Sequence, residues 1–310
     1  LITIFTIPKP FKGHFDVIQR NAIKSWLRLR PSCDIFLFGN DPSVADVARE
    51  YRVKHSADFA CNNYGTPLIN DIFEKAQRLA SHKLLCYLNA DIILLNDFIE
   101  AAQRINFKRF LMVGSRWDID IDHPLNFNQP DWEAKLRFRL ASEATLHPPT
   151  GIDVFLFTKG LWGNIPPFAV GRVMWDNWMI YQARAQREHV IDATKVVTLI
   201  HQNHSYAHLK QGKQEAWEGP EAEQNRTLAG GYKNAFSILD ANWIVTRQGF
   251  SRPKTPEHVQ RCKETRPVLH PRLHTFQKIF LRVFSPFISL IRNTFYALAR
   301  RARFFINIFR

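Results

Sequence analysis

The sequence predicts an α/β protein, a mainly parallel sheet flanked by helices, with a C-terminal amphipathic helical tail. Three observations carry that expectation. Strand-like apolar runs alternate with segments of helical periodicity over roughly the first 200 residues, the order of parallel crossover units. One run, Lys83 to Leu95, is largely apolar and lacks helical periodicity, as does a strand buried on both faces. Beyond Phe276, polar residues recur every three or four positions opposite a face rich in Phe and Ile.

With 310 residues, 45% of them hydrophobic and 23% charged, the chain can bury a large core, which excludes the disordered and fibrous classes. The net charge of +14 is unevenly spread. Nine Lys and Arg residues and no acid lie beyond Glu264, leaving +5 for everything before it. This points to a body with a basic appendage rather than a body whose own surface binds nucleic acid. Leu1 to Ile7 alternate as a short strand, unlike a secretory leader. Cys33, Cys61, Cys86 and Cys262 lie far apart without metal-ligand spacing and read as reduced core thiols, hence as a cytosolic chain.

Taken in order, Ile2 to Ile7 is the first strand, followed by the loop Pro8 to His14. A helix follows with Phe15, Ile18, Ala22, Trp26 and Leu29 on one face, stopped by Pro31. Ile35 to Phe38 is a second buried strand, ending in Gly39-Asn40-Asp41-Pro42, and a short helix then carries Val44, Val47, Ala48 and Tyr51. Arg52 to His55 reads as a third strand. Thr66-Pro67 reads as a helix start, a capping hydroxyl before proline, with Leu68, Ile72, Ala76 and Leu79 on the apolar face. In the central run Asn89 and Asp91 interrupt the apolar residues. A buried carboxylate is costly unless paired or metal-bound, so both are expected at the strand's carboxyl end, facing the crevice where open α/β sheets bind ligands.

Further on come a helix near Phe98 to Ile105, a strand from Phe110 to Gly114, and an extended segment with Asp118, Asp120 and Asp122 on one side. A helix over 131–144 precedes the breaker His147 to Gly151. Asp153 then stands near the start of another apolar run, Trp175-Asp176-Asn177-Trp178 opens a helix, and a strand delivers His201 and His204 at its end.

A buried strand ending in the Asp-x-Asp-like triplet Asn89-Ala90-Asp91, preceded by a long helix, resembles the metal and nucleotide-sugar site of GT-A-type glycosyltransferases. The resemblance covers about residues 1–206 in element order, and Asn89 departs from it by bringing no charge. It implies a Rossmann-like, GT-A-like catalytic domain over 1–250, with a nucleotide-sugar half (1–115) and an acceptor half (116–250), a linker over 251–275 and the tail over 276–310. It also implies donor contacts from Thr6, Pro8, Lys9, Asp41, Asn89 and Asp91, with Lys210 and Lys213 screening the leaving diphosphate. Asp176 matches the general base of inverting members, with Asp153, Trp175 and Trp178 at the acceptor. Mn2+ or Mg2+ would be held by Asp91 with His201 or His204, histidine suiting Mn2+ better. The implied reaction is transfer from a nucleotide-diphosphate sugar, UDP-linked by the resemblance, to a hydroxyl of a lipid-linked or polysaccharide acceptor.

Plainer roles are open to the same residues: turn chemistry for Asp41-Pro42, solvation for Lys9, helix capping for Asp176 and core filling for the tryptophans. A nucleotidyltransferase on a similar fold would carry a Gly-rich loop after the first strand, whereas Pro8 to Gly13 has one Gly. A noncatalytic membrane or RNA-binding adaptor is the remaining alternative. In the tail, Lys278, Arg282, Arg292 and Arg300 interrupt any run of the ~20 apolar residues needed to span a bilayer. Its Phe-rich face is expected to enter an anionic membrane surface at the cytoplasmic side while the basic stripe meets head groups.

Overall fold

A computed structural model describes residues 2–204, 213–273, 275–276 and 280. The chain builds by alternation: β1 (Ile2–Thr6), α1 (Gly13–Arg28), β2 (Asp34–Phe38), α2 (Pro42–Tyr51), β3 (Lys54–Ser56), α3 (Ile69–Leu79) and β4 (Leu84–Leu88). There follow β5 (Ile92–Leu94), α4 (Asp97–Arg104), β6 (Phe110–Val113), β7 (Arg116–Ile119), α5 (Trp132–Glu143), β8 (Thr145–Leu146) and β9 (Val154–Thr158). The remainder comprises α6 (Trp175–Ala185), β10 (His189–Asp192), β11 (Leu199–Gln202), α7 (Lys213–Glu218), α8 (Pro220–Ala229), β12 (Trp243–Thr246), β13 (Gly249–Ser251) and α9 (Pro256–Leu269). Residues 1–261 form one compact unit, which holds both sheets; residues 262–310 form a second.

The main sheet has nine strands in the order β13-β12-β10-β6-β9-β4-β1-β2-β3. Its pairs are parallel except those made by β9 and β13. The expected mainly parallel sheet is therefore present, with one antiparallel strand near its centre. A second sheet runs β5-β11-β7-β8.

The apolar run from Lys83 to Leu95, expected as one strand, is two strands in two sheets. β4 pairs with β1 and β9, whereas β5 pairs antiparallel with β11. Its apolar character has a physical reason: Ile92 and Leu94 point into the core of the main sheet, while Ile93 and Leu95 point into a smaller core with Ile119, Leu136, Leu140 and Ile200. The change of sheet leaves backbone groups that α1 and β11 satisfy. Trp26 Nε1 donates to the Ile92 carbonyl at 2.8 Å, and the Leu94 N–H donates to Ser25 Oγ at 3.1 Å. The wholly buried Gln202 donates to the carbonyls of Asp91 (3.0 Å) and Ile18 (2.7 Å), and accepts from Asn21 Nδ2 at 3.0 Å. Polar residues on the packed face of α1 are thus satisfied members of the core.

Several local expectations change. α3 begins at Ile69 with no side-chain cap, because Pro67 and Leu68 form bridges to Cys61 and Ala169 and hold this stretch extended. Arg52 adopts a left-handed φ of 55° that closes α2, which delays β3 to Lys54. Of the expected core thiols only Cys86 is buried; Cys33 is half-buried, Cys61 and Cys262 are exposed, and all four are free. The segment 251–275 includes α9. The tail lies outside the described residues apart from Phe276 and Phe280, and among those described no helix is long and apolar enough to cross a membrane.

Replacing Gln202 by Leu keeps the volume but removes three buried side-chain hydrogen bonds, those to the Asp91 and Ile18 carbonyls and from the Asn21 amide. A buried hydrogen bond contributes about 0.5–1.5 kcal/mol net, so the loss of all three in Gln202→Leu should lower the unfolding free energy by ~2 kcal/mol in urea titration. A loss below about 0.5 kcal/mol would remove this residue from the support of the sheet junction.

Candidate functional site

Parallel strands deliver the loops at their carboxyl ends to one edge of the sheet. Here the loops after β1, β2 and β4 surround a cleft of about 460 Å³, lined by Ile7 to Pro10, Gly39 to Asp41, Asn89 to Asp91, Val170 to Arg172, His201 and His204. Pro8, Lys9, Asp41, Asn89 and Asp91 all reach it. Thr6 does not: it is wholly buried in the sheet. Asp41 caps α2, its Oδ1 accepting from the Ser43 N–H at 2.9 Å and hydroxyl at 2.5 Å, and these bonds hold the carboxyl below its ordinary range. The plainer reading of Asp41 is thus realised on the cleft wall.

Asp91 occupies the turn between the two sheets. Register brings the histidines to it, because β11 pairs His201 with Ile92, and His204 follows two residues after the strand. Asp91 Oδ2 accepts from His204 Nε2 at 3.0 Å and lies 3.8 Å from His201 Nε2. Burial opposes the charge on Asp91, yet His201, His204 and Lys9 together hold the carboxyl down at about 2. Burial likewise disfavours charged His201, but Asp91 and Asp118 raise its pKa. Lys9 Nζ sits 4.2 Å from the centre of the Phe15 ring, and burial lowers its pKa to about 8 against the pull of Asp91.

This cluster fits a divalent metal. Asp91, His201 and His204 offer ligand atoms within 4.8 Å of one another, and Asp91 Oδ1 is buried without a hydrogen-bond partner. One carboxylate with two imidazoles suits Mn2+ better than Mg2+. Asn89 is turned elsewhere. Its Nδ2 donates to Asp153 Oδ1 at 2.5 Å, and its Oδ1 accepts from the Tyr87 hydroxyl at 3.3 Å.

A second cleft, of about 930 Å³, adjoins the first and shares Tyr87, Asn89, Arg116, Asp153, Arg172, His201 and His204 with it. Between the two runs a charged network that sequence reasoning only half found. Arg116 pairs with Asp153 through Nη1 and with Asp118 through Nε at 2.8 Å. Asp118 also accepts from His147 Nδ1 at 2.6 Å and contacts His201 Nδ1 at 3.0 Å. Burial opposes both charges, but these partners hold the Asp118 carboxyl well below, and the Arg116 guanidinium above, their ordinary ranges. Of the three alternating acids only Asp118 enters this network; Asp120 accepts from Asn203 Nδ2 at 2.8 Å, and Asp122 is exposed beside His123. The alternation of Arg116 and Asp118 on one face of β7 was the available signal, and the pairing of β7 with β8, which sets His147 beside them, was not visible.

Asp176 and Trp175 line the second cleft at the start of α6. Burial raises the Asp176 carboxyl to about 7; the Asn177 N–H opposes the shift and the charge of Asp153 adds to it. Trp175 also packs edge-on against Tyr87, with centroids 5.3 Å apart. Trp178 lines neither cleft and packs on Phe168 in the core. The expected acceptor contact from Trp178 is therefore replaced by core filling, because the helical turn carries it to the opposite side from Asp176. Lys210 lies outside the described residues, and Lys213 begins α7.

No family model matches the sequence, and no curated protein matches it. Among solved structures, S. aureus TarS residues 1–349 match with a TM-score of 0.43 at 9% identity, over 65% of this chain and 60% of that one. The same fragment in complex with UDP-GlcNAc matches with a TM-score of 0.43 at 10% identity, over 66% and 58%. A candidate nucleotide-diphospho-sugar transferase from Desulfovibrio desulfuricans G20 matches with a TM-score of 0.39 at 11% identity, over 74% and 96%. The chain spans about three fifths of the TarS fragment.

Proposed function

We propose that this chain is an inverting glycosyltransferase that moves a sugar from a nucleotide-diphosphate sugar, UDP-linked by the resemblance in its motifs, to a hydroxyl acceptor. The observation that carries the reading is the Asp91, His201 and His204 cluster at the junction of two clefts, on the carboxyl edge of a parallel sheet. Such a transfer needs a pocket for the donor, a cation site at the diphosphate and an open space for the acceptor, all meeting at one point. Asp91, His201 and His204 would hold Mn2+ or Mg2+, which supplies positive charge to the diphosphate as it leaves. Lys9 adds a cation on the same wall and is mostly protonated at neutral pH.

Asp176 is the general base of this reading. As the acceptor oxygen forms its bond to the anomeric carbon, its proton passes to the Asp176 carboxylate. The bond from that carbon to the diphosphate breaks, with its electron pair going to the phosphate oxygen. Asp153 and Trp175 hold the acceptor, Asp153 being kept in place by Asn89 and Arg116. The acceptor is a lipid-linked molecule or a polysaccharide at the cytoplasmic face of an anionic membrane, to which residues 276–310 bind peripherally. That last element rests on the tail's sequence, whose continuous apolar stripe favours lipid over nucleic acid.

A panel of nucleotide sugars, followed by thermal stabilisation and release of nucleotide, tests the reading; no response to any donor would defeat it. Calorimetric titration with Mn2+ should show affinity reduced at least ~10-fold in Asp91→Asn and in His204→Ala, and unchanged titrations would exclude these ligands. Asp176→Asn should lower kcat by ~10²-fold or more while donor affinity stays near that of the parent. A base acts only when deprotonated, so kcat of the parent should fall as pH drops through about 7. A flat profile from pH 5.5 to 8.5, or a product retaining the donor's anomeric configuration, would rule out this role. Truncation before Phe276 should release the protein from phosphatidylserine vesicles, and equal flotation of both forms would dismiss the membrane element.

A further inference from the structure

Two aromatic side chains of the second cleft are far more open than the tryptophans at the start of α6: Trp217 is 55% exposed and Tyr232 is 72% exposed. They come from separate elements, the end of α7 and the short turn that follows α8. Arg226 of α8 ties them together, donating to the Trp217 carbonyl at 2.6 Å and bonding the Tyr232 hydroxyl. Gly230 and Gly231, both at positive φ (79° and 86°), turn the chain back to place Tyr232 beyond the helix end, a path that side chains with a Cβ rarely adopt. Single exposed aromatics such as Tyr64 and Phe138 are ordinary surface residues, but Trp217 and Tyr232 line one cleft together.

The charges of the same cleft narrow what could cover these rings. Its three arginines are already matched: Arg116 by Asp118 and Asp153, Arg172 by Glu221 at 2.6 Å, and Arg261 by Asp240 at 2.9 Å. Among the described residues, an anionic polymer or a phospholipid head group would find no unmatched guanidinium there. Beside Asp118, Asp153, Asp176 and the imidazoles of His147, His201 and His204, the wall also offers uncharged polar groups of Thr150, Asn177 and Ser237. Exposed ring faces beside uncharged hydrogen-bonding groups match a sugar ring, which presents a C–H face for stacking and hydroxyls at its edge.

We infer that Trp217 and Tyr232 form an acceptor subsite for a neutral saccharide, so that the hydroxyl to be glycosylated belongs to a carbohydrate chain. This rests on the second cleft being the acceptor side of the proposed transferase. The test separates the two readings by measuring UDP and saccharide independently on the full chain. Neutral glucan, mannan and chitin oligosaccharides of two to six units are titrated while tryptophan fluorescence and saturation-transfer NMR are followed. The expected result is binding of at least one series, weakened roughly tenfold in Trp217→Ala and in Tyr232→Ala, largely restored in Trp217→Phe, with UDP affinity unchanged in all three. UDP binding with no saccharide bound by the parent, or saccharide binding that neither alanine variant weakens, overturns the subsite and leaves the transferase reading standing. Saccharide binding that depends on both rings, in a protein that binds no UDP, leaves a saccharide site at these rings but overturns its acceptor role together with the transferase reading. Tighter binding to phosphatidylglycerol vesicles through the same two rings, with no saccharide competing, would make the occupant a lipid and overturn the inference.

Discussion

Everything at the candidate site depends on a hydrogen-bonding constraint: a strand that leaves one sheet must find new partners for its backbone before it joins another. The chain makes that move between Leu88 and Ile92. The groups it exposes are taken up by Trp26, Ser25 and Gln202, all buried and all contributed by elements distant in sequence. Because Gln202 and His201 are neighbours on β11, the residue that satisfies the Asp91 carbonyl belongs to the strand that brings an imidazole to its carboxylate. The polar core of α1 and the geometry of the cluster are therefore one construction.

The same junction accounts for Asn89. β9 enters the sheet antiparallel beside β4, and the backbone N–H of Asn89 donates to the Asp153 carbonyl at 3.0 Å. That approach sets the two side chains 2.5 Å apart. An acid at 89 would confront Asp153 with a second carboxylate, whereas the Asn amide donates to it. Asp153 is then neutralised from its other side by Arg116. The departure from an Asp-x-Asp triplet is thus a local electrostatic solution, and the negative charge in this region is carried by Asp91 and Asp153.

Sequence periodicity made most elements legible, because helices that cover a sheet must show an apolar stripe and the strands beneath them must be apolar throughout. It also located Asp91, since a carboxylate interrupting a buried run carries a cost that demands partners, while the two histidines were singled out by their place at a strand end and by the family resemblance. What it missed was decided by pairing between distant segments. Nothing local distinguishes Leu88 from Ile92 as members of different sheets, as both are buried in apolar surroundings. Thr66-Pro67 has the chemistry of a helix start, but bridges to Cys61 and Ala169 override it. Trp175 and Trp178 look equivalent in the sequence, yet one helical turn separates a cleft wall from the core. Asp118 was visible as one of three acids, and only the neighbouring strands select it over Asp120 and Asp122.

Two carboxylates near the meeting of the clefts are driven to opposite electrostatic states by their surroundings. Asp91 is held at about 2 although burial opposes its charge, because two imidazoles and Lys9 surround it. Asp176 rises to about 7 because burial meets no compensating cation among its main influences, and the nearby charge of Asp153 adds to the effect. An acid kept ionised at all physiological pH values is suited to holding positive charge, and one poised near neutrality is suited to exchanging a proton. Arg116 pairs with Asp153, and so connects the two states. It fixes the carboxylate that Asn89 orients on the Asp91 side and that raises Asp176 on the other, which makes this guanidinium the structural link between donor and acceptor chemistry in the proposed reaction.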